Sequence, residues 1–120
     1  AAWDLESEDF QVSLLKHEAQ HASDQGRYPG MSSEDLEYRA KLVELIYSEE
    51  RPLLDQFLRE ADASNAGNGH GLAAERIARG FQARLDRGRA ELAGLPIREV
   101  QAASLALFRE SAGDMDRKYL

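Results

Sequence analysis

Residues 10–24, FQVSLLKHEAQHASD, decide how the chain is read. Phe10, Leu14, His17, His21 and Asp24 follow one another at spacings of 4, 3, 4 and 3, the period of one face of a helix. Val12, Leu15, Ala19 and Ala22 form a second apolar face, so the spacing predicts a mostly buried helix over 10–23, central to the fold. Asp4 or Ser7 is suited to cap it, with Glu8 and Asp9 in its first turn at the positive end of the helix dipole. His17 and His21 stand at i and i+4, one above the other, where both imidazoles can reach one ion. Glu18 directly follows the first histidine and lies to the side of the pair, placed to meet a water on that ion rather than the ion itself.

Outward from this helix, Tyr28-Pro29-Gly30-Met31 fits a type II turn, with Pro second and Gly third, where φ must be positive. Ser32 three residues before Asp35 resembles a capping box. A long helix is expected from Leu36 to about Glu60, with Leu36, Ala40, Val43, Tyr47, Leu54 and Leu58 on one side. Pro52 should kink it or break it briefly near Glu50-Arg51, since proline lacks the N–H donor and disfavours helix at the preceding residue. Residues 62–71, DASNAGNGHG, read as a loop. A third helix over 72–93 carries Ile77, Phe81, Leu85 and Leu92 inward, with Gly80 and Gly88 allowing close approach of a neighbour. Its arginines 76, 79, 84, 87 and 89 are expected as a solvated face partnered by Glu75, Asp86 and Glu91. Gly94 and Pro96 end it and start a fourth helix over 96–110, burying Ile97, Val100, Leu107 and Phe108; residues 113–120 are expected as a frayed turn. No segment alternates as a strand does. The expected architecture is all-α, four to five helices in a single domain over 1–120, with a metal-binding helix pair (10–61), a Gly/Asn loop (62–71) and a C-terminal helix pair (72–120).

Composition narrows the function. With 42% hydrophobic and 31% charged residues and a mean hydropathy of −0.56, the chain is that of an ordinary globular domain. No apolar run approaches the ~18 residues that span a bilayer, and no secretory-type leader is visible. The chain begins Ala1-Ala2-Trp3 rather than with Met, which marks it as processed or a fragment, so exported and cytoplasmic locations both fit. Cysteine is absent, which removes disulfides, thiolate ligands and a cysteine nucleophile. A net charge of −7, with no basic cluster interleaved with aromatics, argues against nucleic acid as a partner.

Two histidines hold zinc weakly; a catalytic site uses three protein ligands and keeps one position open. Glu37, in the first turn of the helix after the reversal, is the leading third ligand, because helix–turn–helix geometry brings it back beside His17 and His21. Glu44, seven residues on, and Asp24, three past His21, compete for that role or support a histidine through its second N–H. The ExxH of Glu18–His21 also belongs to di-iron bundles, but the second such motif they need is missing.

At His17-Glu18-Ala19-Gln20-His21, followed by Glu37 after fifteen residues, the chain resembles the gluzincin type of HExxH metallopeptidase over about residues 10–50. The resemblance implies a Zn2+ site of His17, His21 and Glu37, with Glu18 taking the proton of the attacking water and passing it to the leaving amine. It implies a peptide or protein substrate, and a later His, Tyr or Arg that stabilises the oxyanion; His70 is the first choice, with Tyr28, Tyr38 and Arg39 as alternatives. Lys41 stands where many gluzincins have an aspartate four residues after the third ligand. Zincins also hold substrate along a sheet edge, which no segment here supplies, so an upstream domain or partner chain is expected to complete the cleft. The expected function is thus a zinc-dependent hydrolase of peptidase type. The alternative is a helical binding or assembly module whose metal site is structural or vestigial.

Overall fold

The computed structural model describes residues 8–48, 52–63 and 69–120. They form α1 (Glu8–Arg27), α2 (Ser33–Tyr47), α3 (Pro52–Ala63), α4 (Gly69–Leu85), a 3₁₀ helix (Arg89–Gly94) and α5 (Ile97–Tyr119), with no strand among them. The all-α expectation holds. The cap foreseen at Asp4 or Ser7, the kink at 50–51 and residues 64–68 of the loop lie outside the described residues.

The hub is α2, which packs against α1, α4 and α5. Tyr38, Leu42 and Leu45 join Leu54, Phe57, Ile77, Phe81, Leu92, Leu95, Val100 and Leu107 in the main core. The motif helix α1 is peripheral, contrary to the reading of its two apolar faces: it packs on α2, while Leu15, Ala19 and Ala22 are exposed. Alanine explains the part that falls at Ala19 and Ala22, since it favours helix strongly yet carries too little apolar area to demand burial, while Leu14 and Leu15 are left exposed.

The described part of the long second helix forms two helices, α2 and α3, on either side of residues 49–51. Ser48 leaves α2 with extended backbone (φ −77°, ψ 133°), its N–H still on the Glu44 carbonyl. Pro52 opens α3, the one helical position where its missing N–H costs nothing. The turn before α2 is as expected: Gly30 has φ 83°, and the Met31 N–H reaches the Tyr28 carbonyl at 3.2 Å.

The capping box is half formed. Ser32 Oγ accepts the Asp35 N–H at 3.1 Å, but the Ser32 N–H goes to Tyr119 Oη. The Asp35 carboxylate is taken by Arg76 (2.6 Å), Lys118 (2.8 Å) and Tyr119 (2.5 Å). Burial alone would push its carboxyl up; the hydrogen bonds from Lys118, Tyr119 and Arg76 outweigh that and hold it well below the usual carboxylate range. Residues 113–120 are therefore not frayed: α5 runs on to Tyr119, buries Met115 and clamps the start of α2.

The third helix ends early. Asp86 turns left-handed (φ 53°) after α4, and Leu92 reaches the core from the 3₁₀ helix, so Gly88 lies outside any α-helix. Gly80 does mark a close approach: a Cβ there would lie 3.0 Å from a Leu107 methyl. The arginine face is only partly solvated. Arg79 and Arg89 pair with Glu75 as expected, whereas Arg84 reaches Glu110 across to α5 and Arg76 lies over the Tyr38 ring on its way to Asp35.

Candidate metal centre

Consecutive turns of α1 carry His17 and His21, their ring centroids 4.5 Å apart. The turn at 28–31 folds α2 back along α1, and Glu37, nine-tenths buried, comes to lie against both rings. Glu37 Oε2 is 3.2 Å from His17 Nε2, and its Oε1 is 3.1 Å from His21 Nε2. His70 Nδ1, from the start of α4, is 3.2 Å from Glu37 Oε2. All three histidines of the chain thus converge on one carboxylate. Gly69 permits the last approach, since a Cβ there would meet Ser33 Oγ at 2.6 Å.

His17 Nδ1 hydrogen-bonds Glu44 Oε2 at 2.9 Å. Against a carboxylate that nitrogen is the donor, so in the neutral ring it is Nε2, on the side of Glu37, that carries the lone pair. The same bond raises the His17 pKa; burial opposes the rise, and the charges of Glu44 and Glu37 reinforce it. Glu44 thus stands where the carboxylate partner of a metal-binding histidine would stand. Replacing Glu44 with glutamine is expected to weaken zinc binding about 10–100-fold without removing it, measured by competition with a chromophoric chelator; unchanged affinity would deny Glu44 that role.

The donor set fits a cation. One donor atom each of His17, His21 and Glu37 lies within 4.8 Å of the other two. His21 Nε2 and Glu37 Oε2 are buried and have no hydrogen-bond partner, an arrangement that costs free energy unless something positive lies between them. Each histidine Nε2 lies 3.1–3.2 Å from an oxygen of Glu37, His17 from Oε2 and His21 from Oε1, close to the ~3.3 Å ligand–ligand edge of a tetrahedron built on metal–ligand bonds of about 2.0–2.1 Å. Two imidazoles and one carboxylate, with no thiolate, form a ligand set found in catalytic zinc sites.

The remaining candidates divide cleanly. Asp24 faces no histidine: Arg39 Nε grips both its oxygens at 3.0–3.1 Å, and Gln20 adds a bond at 3.0 Å. Arg39 continues to Ser111 Oγ at 2.6 Å and lies over the Phe108 ring, so the pair bolts the end of α1 to α2 and α5. Both groups are almost fully buried, and Arg39→Met, which strands the carboxylate, should cost about 3–5 kcal/mol in urea unfolding. A loss below about 1 kcal/mol, the level of an exposed pair, would contradict that account. Arg39 is thereby spent, as are Tyr28, whose hydroxyl donates to Asp116 at 2.7 Å, and Tyr38, packed in the core. Neither tyrosine nor Arg39 lines the cavity described next.

Beside His17, His21 and Glu37, a cavity of about 380 Å³ opens between α1 and α3, floored by α2. Glu18 and His70 line it together with His17 and Glu44, as do Leu14, Leu53 and Phe57. Lys41 and Glu60 complete its charged lining. Sequence reasoning found Glu18 and His70 but treated Lys41 only as a departure from a motif; the signal was its place one helical turn beyond Glu37. No protein-family model, curated protein or solved structure matches the chain.

Proposed function

We propose that the protein is a zinc-dependent hydrolase of peptidase type, with His17, His21 and Glu37 as ligands and Glu18 as general base. The observation that carries this reading is the two buried, unpartnered atoms His21 Nε2 and Glu37 Oε2, the first 3.1 Å from Glu37 Oε1 and the second 3.2 Å from a His17 whose other nitrogen is held by Glu44. When bound there, zinc would acidify a water and polarise a carbonyl. The chain's own residues do the rest. Glu18, exposed on the cavity wall one position after His17, accepts the proton of the attacking water and delivers it to the leaving amine. His70 stands on the opposite side of Glu37, available to donate an N–H to the carbonyl oxygen as charge develops on it. The cleft between α1 and α3 takes the place of the sheet edge along which zincins hold substrate.

One observation favours the alternative, a binding module with a structural site. His70 Nδ1 lies as close to Glu37 as His17 Nε2 does, and a fourth protein ligand would close the coordination shell as structural zinc sites close theirs. The test is zinc-loaded protein on a mixed peptide library, read by mass spectrometry beside Glu18→Gln. Cleavage that disappears in the variant supports the hydrolase; no cleavage by zinc-loaded wild type, or cleavage undiminished in the variant, overturns it.

A further inference from the structure

Lys41 is the one lysine or arginine among the residues lining the cavity, and its side chain is only 5% exposed. An ammonium so deeply buried needs partners, because desolvation of a bare charge is expensive. It has two: Glu60 Oε2 at 3.0 Å and the face of the Phe57 ring at 4.4 Å. An ammonium carries three N–H donors, so one remains beyond those two among the described residues. Glu60, which shares its other oxygen with Gln56, is about one-third exposed on the rim formed by α3. The counter-ion thus lies at the solvent edge while the ammonium lies buried.

Position along α2 decides what Lys41 serves. It follows Glu37 by one turn, about 6 Å of helix rise, too far to share the scissile carbonyl yet within reach of a carboxylate carried by the adjacent residue. A group held there belongs to the residue beyond the scissile bond rather than to the scissile carbonyl, which makes Lys41 a recognition residue and leaves the oxyanion to His70. Leu14, Leu53 and Phe57 line the same cavity and suit the apolar part of such a residue. We propose that Lys41 anchors a carboxylate of the substrate, so that the cleft selects a residue with a free carboxylate directly after the bond to be cut. The carboxylate is either the C-terminal α-carboxylate or an acidic side chain. This rests on the hydrolase reading of the same cleft. Within it, the carboxylate takes the third N–H of Lys41 and shares the ammonium with Glu60, or displaces it.

The test is calorimetric binding of three probes to the 120-residue chain, with zinc content measured on the same samples. N-acetyl-leucine offers a terminal carboxylate, N-acetyl-aspartate α-amide a side-chain carboxylate, and N-acetyl-leucinamide none. At least one acid should bind about tenfold or more tighter than leucinamide, as expected for a charge-assisted hydrogen bond, and the stronger acid identifies the source. Lys41→Met should erase the preference while zinc content stays unchanged. Glu60→Gln, which removes the competing counter-ion, should tighten the acid severalfold, and it decides the matter if Lys41→Met does not fold. Equal binding of acids and amide by wild type overturns the proposal, as does a Glu60→Gln variant no tighter than wild type. A preference that survives Lys41→Met places the carboxylate on the metal and overturns it equally. A chain that takes up no zinc sinks the hydrolase reading, while the acid-to-amide ratio of the metal-free protein still decides the role of Lys41.

Discussion

Replacing Glu37 with glutamine is expected to lower zinc affinity by more than the roughly 10–100-fold that a supporting partner commands. The substitution preserves shape and helix but removes the only anionic ligand. His17 and His21 would remain, and two neutral imidazoles hold zinc weakly. The carboxylate stands where both histidines face it at 3.1–3.2 Å, with one oxygen buried and unpartnered, so among the described residues no other offers an equivalent charge at the same point. Glu44 is nearest in kind, yet its Oε2 is already committed to His17 Nδ1, on the far side of that ring from Glu37. Titration against a chelator of known affinity measures the effect. A Glu37→Gln protein that binds zinc as tightly as wild type would remove Glu37 from the site and pass the ligand role to Glu44.

Glu18→Gln is expected to reduce peptide hydrolysis by about 10²–10⁴-fold, the usual worth of a general base, with zinc content unchanged. Glu18 is exposed, so its removal should leave stability within about 0.5 kcal/mol. That contrast makes the variant informative: a structural role for the motif would show in stability or metal content, and a catalytic role shows only in rate. The reading is the ratio of kcat/KM for wild type and variant on a peptide recovered from the library, beside thermal unfolding of both. Equal kcat/KM values would take the proton-transfer role from Glu18 and leave the site a binding centre.

How far the sequence was legible depends on how local each signal is. The helices of the motif, the type II turn at Gly30 and the cap at Ser32 are set by residues within four positions of one another, and all three appear in the fold. His17, His21 and Glu37 meet because a tight reversal leaves two helices little choice of packing. What failed were features decided across the chain. The clamp of Lys118 and Tyr119 on Asp35 spans more than eighty residues, so the last turns of α5 look dispensable until α2 lies beside them. Asp24 sits in register with the histidines, and only the approach of Arg39 shows that it serves packing rather than the metal. Pro52 read as a kink because the apolar stripe continues through it; the stripe is continuous because α2 and α3 face the same core. Lys41 was visible as an oddity, but its burial beside Glu60 and Phe57 depends on where α3 comes to lie.

The central claim is that this chain binds one catalytic-type zinc ion through His17, His21 and Glu37. Inductively coupled plasma mass spectrometry on protein purified without chelator, beside His17→Ala, tests it most directly. The account predicts about one zinc per wild-type chain and a large loss in the variant. No metal in either protein, with none taken up when zinc is added, would contradict it and leave a helical domain whose histidines merely pack around a buried carboxylate.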